Sequence, residues 1–167
     1  MKEITITLKK SELLFDIENT AFLVGRNRSD GANFEQVHNI QNTGADEDRN
    51  FILRGIETAF LDAKKMLIRY IHESNRETDN ELIDEASDLV ITLVHAYMFN
   101  EAATDNLRSA IHEYIVSSSL LDWFSVVKPD EVQIYEKRRQ VAAIAILNAF
   151  FRRNAPQRPI LKNQCNG

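Results

Sequence analysis

Four histidines are the side chains best suited to metal or acid–base chemistry in this chain, and their spacing limits what they can do. His38 falls in a surface segment, His72 near a helix end, His95 at a strand end and His112 within a helix. No His-x-x-x-His pair occurs. Glu35 and His38 make one Glu-x-x-His, but a di-metal bundle centre takes two such motifs plus two further glutamates. Asp46, Glu47 and Asp48 are consecutive, which matches no calcium loop. They suit the first turn of a helix, where negative charge meets the positive end of the dipole.

Nucleophiles fare no better. Ser117, Ser118 and Ser119 form a run without the glycines of a nucleophile elbow. Cys165 has no base beside it. The five glycines build neither Gly-x-Gly-x-x-Gly nor the phosphate-cradling Gly-x-x-x-x-Gly-Lys. The remaining route to an enzyme is a site assembled from dispersed residues such as His95, His112 and a distant carboxylate. No catalytic, cofactor-binding or metal residue is assigned, and neither a cofactor nor a small-molecule substrate is expected.

The chain that must position these groups has 167 residues, 44% of them hydrophobic and 27% charged. That suffices for one domain with its own core. A lone cysteine cannot form an internal disulfide. No apolar run approaches the roughly 18 residues of a membrane span, and the start lacks a signal-peptide pattern. The expectation is an intracellular protein with no membrane partner.

Ile4, Ile6 and Leu8 alternate with Thr5 and Thr7, the period of a half-buried strand. Leu89, Ile91 and Leu93 alternate with Val90, Thr92 and Val94. A helical spacing through Leu82, Ala86, Leu89, Leu93 and Tyr97 competes there, and the β-branched residues favour the strand. Whether 82–88 extends the strand or forms a short helix stays open.

Helical spacing fills most of the rest. Ser11 is a candidate cap for a first helix carrying Leu14, Ile17, Ala21 and Val24, ended by Gly25 and the polar run to Asn33. Phe34, Val37 and Ile40 fit a short helix closed by Gly44. Ile52, Ile56, Ala59, Phe60, Ala63, Leu67, Tyr70 and Ile71 mark a third, and residues 74–80 read as a loop. Asn100 caps a fourth with Leu107, Ile111, Tyr114, Ile115, Ser118 and Leu121 on its face. Lys128-Pro129 ends it and opens a fifth, bearing Val132, Tyr135, Ala142, Ala143, Ile146, Leu147 and Phe150. The expected fold is mainly α (α+β): four to five helices with a two-stranded antiparallel ribbon near 3–8 and 88–95. It forms a single domain over 1–155, followed by a flexible basic tail over 156–167.

Charge is uneven along the chain. From Lys128 onward eight Lys/Arg face three Asp/Glu, a local +5, while the preceding residues carry −10 within an overall −5. Unlike patches of this kind steer association between surfaces or copies. Trp123 either covers the core edge or anchors a partner, as interface tryptophans do. Phe151, next to core-type Phe150, is a candidate for packing on a neighbouring subunit, and Arg152, Arg153 and Arg158 for reaching an acidic face.

Several segments resemble a family of small proteins encoded among the structural genes of Bacteroides-type phages and prophages. They are Lys2 to Leu8, Ala45-Asp46-Glu47-Asp48, His112-Glu113-Tyr114-Ile115-Val116, Leu121-Asp122-Trp123-Phe124, Lys128-Pro129-Asp130-Glu131, and the basic stretch from Arg152-Arg153 to Pro159. The resemblance covers most of the chain and is closer in the second half. It implies a virion assembly component, a head–tail connector or tail-completion subunit working in a ring, with other copies and other virion proteins as partners. Its place would be the bacterial cytoplasm during assembly and then the virion, and it brings no catalytic residues. The alternative class is an intracellular binding module or regulator that applies its basic C-terminal segment to nucleic acid or a protein. No recognised nucleic-acid-binding motif accompanies that segment.

Overall fold

The computed structural model describes residues 2–27, 33–44, 46–72, 87–95 and 100–153. The expected loop at 74–80, the ambiguous 82–86, Arg158, Cys165 and the tail over 156–167 lie outside them. The described residues are mostly helical, with five helices and one two-stranded antiparallel sheet.

Strand β1 (Lys2–Leu8) pairs with β2 (Leu89–His95), Ile4 opposite Leu93, Ile6 opposite Ile91 and Leu8 opposite Leu89. The period-two pattern fixes this register. A slip of one residue would turn Ile6, Leu8, Ile91 and Leu93 out of the core. On the outer face Thr5 and Thr92 are opposite each other with hydroxyls 3.3 Å apart.

Helix α1 (Lys10–Asn27) starts one residue before Ser11, which is therefore not its cap. The amides of Glu12 and Leu13 both donate to the Lys9 carbonyl, so backbone alone begins the helix. Lys10, only 2% exposed, carries its ammonium inward to Glu57 Oε1 at 2.5 Å and Ser87 Oγ at 3.2 Å. Gly25 does not end α1. It lies within the helix, where an added Cβ would come 2.5 Å from Cγ of Gln41. The bare glycine lets the end of α2 (Phe34–Gln41) approach, and Gln41 Nε2 donates to the Phe22 carbonyl at 3.1 Å. Val37 and Ile40 of α2 are buried, while Phe34 is exposed.

Helix α3 (Asp46–Met66) buries Ile52, Ile56, Ala59, Phe60 and Ala63 as its spacing predicts, and Leu53 beside them. It stops before Tyr70 and Ile71, which the apolar stripe had included. A 3-10 turn over Ile68–Tyr70 redirects the chain so that Ile71 bridges Leu93, and the His72 amide donates to the Thr92 carbonyl. The helical stripe gives way because pairing with β2 satisfies this backbone.

Helix α4 (Thr104–Val127) is the centre of the molecule and packs against α1, α2, α3, α5 and β1. Asn100 acts as expected, its side chain accepting from the Ala102 amide in a 3-10 turn leading into α4. The sequence predicts one buried face, yet Tyr114 to Leu120 are buried without interruption. Helices on several sides of α4 remove the polar face that a surface helix would keep. Ser118 and Ser119 therefore have their hydroxyls inside the core without hydrogen-bond partners, and Ser119 lies where α3 comes close at Gly55. The serine run is buried packing.

Candidate functional site

The described part of the basic C-terminal segment, up to 153, belongs to a helical hairpin. The Lys128 amide closes α4 on the Phe124 carbonyl, Pro129 opens a 3-10 turn, and α5 (Val132–Phe150) returns along α4. Tyr135 locks the base of the hairpin. Its ring stacks on Phe124 at 5.0 Å and 15°, with the Arg138 guanidinium 5.6 Å from the ring centre. Burial raises the Tyr135 phenol pKa, against the lowering effect of the Arg138 cation, and Glu131 raises it further. Leu107, Ile111, Ile115 and Phe124 are fully enclosed. Each contributes about 1.5–3 kcal/mol of burial.

The other side of α5 carries apolar side chains among polar ones such as Gln133, Lys137, Gln140 and Asn148. Ile134, Val141, Ile144, Leu147 and Phe151 are all exposed, Val141 to 67%. Ile134 and Val141 are seven residues apart, as are Ile144 and Phe151, so the members of each pair lie in line on successive turns. Leu147, placed on the buried stripe by its spacing, is 38% exposed and belongs to this outer face. A groove of about 490 Å³ opens beside Val141 between α4 and α5. Ala110, Ala142 and Ala145 line its apolar part, with Glu113, Lys137 and Arg138 around it.

The candidate contact residues separate into two places. Phe151, 50% exposed, packs edge-on against Phe150 and Tyr70 at the end of α5, beside exposed Arg152 and Arg153. The Arg152 carbonyl accepts from the Asn100 amide and fastens that end to the start of α4. Trp123 is elsewhere. It is 4% exposed, its indole donates to the Ile40 carbonyl at 3.3 Å, and its ring lies 6.4 Å from Phe51. Of its two readings the core is the one realised within the chain, because α2 supplies the acceptor that a partner would otherwise have to offer.

A second exposed apolar line runs along α1. Phe15, 63% exposed, and Phe22 are seven residues apart on its solvent side, flanked by Glu12 and Glu18. Behind them α1 is tied to its neighbours by His112 Nε2 to Asp16 Oδ2 at 2.7 Å and Arg49 to Glu18 at 3.2 Å. His112 is thus engaged between α4 and α1. His72 Nδ1 lies 3.2 Å from Glu3, His38 is exposed together with Glu35, and His95 is buried at the end of β2. Among the described residues no group of three or more His, Cys, Asp or Glu side chains is placed to hold a metal ion. A smaller recess of about 290 Å³ is lined by Glu57, Phe60, Lys64 and Leu89. Within it Glu57 pairs with Lys10, and Lys64 lies over the Phe60 ring at 5.2 Å.

Among the described residues Asp122 is the carboxylate that its surroundings perturb. Burial raises its pKa, the Arg139 cation lowers it, and Asp62 raises it again. A carboxyl raised by folding favours the fold when protonated, and that contribution is lost as pH rises through the folded value. Asp122→Asn is therefore expected to stabilise the protein at neutral pH. Solvent screening keeps the gain below about 1 kcal/mol. Thermal melts should show the gain vanishing below about pH 4, where the wild-type carboxyl is also neutral. An equal gain at both pH values would contradict this.

No family model, curated protein or solved structure compared with the chain matches it. No helix among the described residues is long and apolar enough to cross a membrane.

Proposed function

We propose that this chain is a non-enzymatic phage or prophage virion assembly protein, a head–tail connector or tail-completion subunit that works as a ring of identical copies. The observation that carries the reading is the two-sided apolar character of α5. One side is consumed by α4, and the other presents Ile134, Val141, Ile144, Leu147 and Phe151 to solvent. Large apolar side chains exposed in this number along one helix are of the kind that form contact sites between macromolecules. The sequence resemblance to phage structural proteins supplies the class of assembly. The uneven charge supports unlike surfaces meeting head to tail, the arrangement that closes rings.

Size-exclusion chromatography with light scattering, run on concentrated protein at low and high salt, tests the reading. The expected result is a defined multimer at low salt that weakens as salt screens the unlike patches. A monomer under both conditions would contradict it. Salt-dependent binding to duplex DNA by the monomer would favour a nucleic-acid-binding module instead.

A further inference from the structure

We propose that the outer face of α5 docks onto the outer face of α1 of a second copy, with Phe15 and Phe22 of that copy packing on Val141, Ile144 and the α4–α5 groove. The inference rests on the ring reading and specifies its interface. The two faces match in spacing, because Phe15 and Phe22 repeat at seven residues as do Ile134 and Val141. Such repeats keep side chains in register between helices that cross at a shallow angle. The faces also match in charge. Lys137 lies within the α5 stripe and Arg138 beside it, near Glu113, while Glu12 flanks Phe15 on α1 and Glu18 is held by Arg49. The groove offers an apolar wall of Ala110, Ala142 and Ala145, suited to an inserted aromatic ring.

Geometry within one copy allows the contact to propagate. α5 packs chiefly on α4, whereas α1 packs on α2, α3 and α4, so each copy has both faces exposed on different elements. An interface between unlike faces leaves one donor and one acceptor free in every dimer, and further copies add until the ring closes. Neither face alone explains this. An α5 stripe pairing with itself would stop at a dimer.

Sedimentation velocity on full-length chains distinguishes these cases. Val141→Asp/Ile144→Asp removes the α5 face and Phe15→Asp/Phe22→Asp the α1 face, with circular dichroism melts confirming that each variant folds. Each variant alone is expected to associate at least about tenfold more weakly than wild type. Their equimolar mixture should form dimers and nothing larger, because each dimer leaves only its two altered faces outward. If a double substitution unfolds either chain, Lys137→Glu at the exposed stripe serves instead, and adding Glu12→Lys in the same chain should restore assembly. Assembly by the α1 variant but not the α5 variant would overturn the inference in favour of an α5–α5 contact. Assembly of both variants like wild type would overturn it while leaving the ring intact. A wild-type monomer at every concentration would remove both.

Discussion

Trp123→Ala is expected to lower unfolding stability by about 3–5 kcal/mol, the range for emptying a large aromatic site in a core. The indole is almost wholly enclosed and joins α4 to α2 through the Ile40 carbonyl, so both the packing and one tertiary hydrogen bond are lost. Trp123→Phe separates the two contributions. It keeps most of the ring volume but leaves that carbonyl without its donor, for a loss of about 1–3 kcal/mol. Urea titrations followed by circular dichroism are the appropriate measurement, because Trp123 is the chain's sole tryptophan and its fluorescence disappears with it. A loss below about 1 kcal/mol for Trp123→Ala would show that the side chain is not a core element.

Glu57→Leu is expected to cost about 3 kcal/mol, near the lower end for breaking a buried ion pair because Glu57 retains some exposure. The substitution leaves the Lys10 ammonium inside the protein without its carboxylate. The double change Lys10→Met/Glu57→Leu should recover most of the loss, since neither desolvated charge then remains. Together with Lys10→Met alone, they are read from the same denaturant series as a double-mutant cycle. Strictly additive losses would mean that the pair at the start of α1 is not coupled.

The pair also shows where sequence reading falls short. A lysine next to a strand looks like a solvated charge, and only the packing of α1 on α3 turns it inward. Periodicity was informative wherever one element faces one neighbour. The alternation of Ile4, Ile6 and Leu8 against Leu89, Ile91 and Leu93 anticipates the sheet and its register. Val37 and Ile40 anticipate α2, and Asn100 and Pro129 anticipate the turns that begin and end α4. Patterns misled where tertiary contact overrides local preference. Gly25 resembles a helix stop but is a packing contact for Gln41, and Tyr70 and Ile71 leave the helical stripe to reach the sheet.

The candidate surface was half legible for a related reason. Phe151, Arg152 and Arg153 stand out because aromatic and charged residues adjoin at a helix end. Ile134, Val141 and Ile144 do not stand out in the sequence, because apolar residues at helical spacing read first as core. The signal was present nonetheless. In α5 apolar residues fall on both sides of the helix, and a helix of this kind has either two neighbours within the chain or one outside it. Among the described residues, α4 is the helix packed on its inner side.

Assembly through that outer face is the claim on which the functional reading depends. Native mass spectrometry of the concentrated wild-type chain at low ionic strength tests it most directly. A single discrete multimer, dissociated by Val141→Asp/Ile144→Asp, is the predicted result. A spectrum containing only the mass of one chain would contradict it.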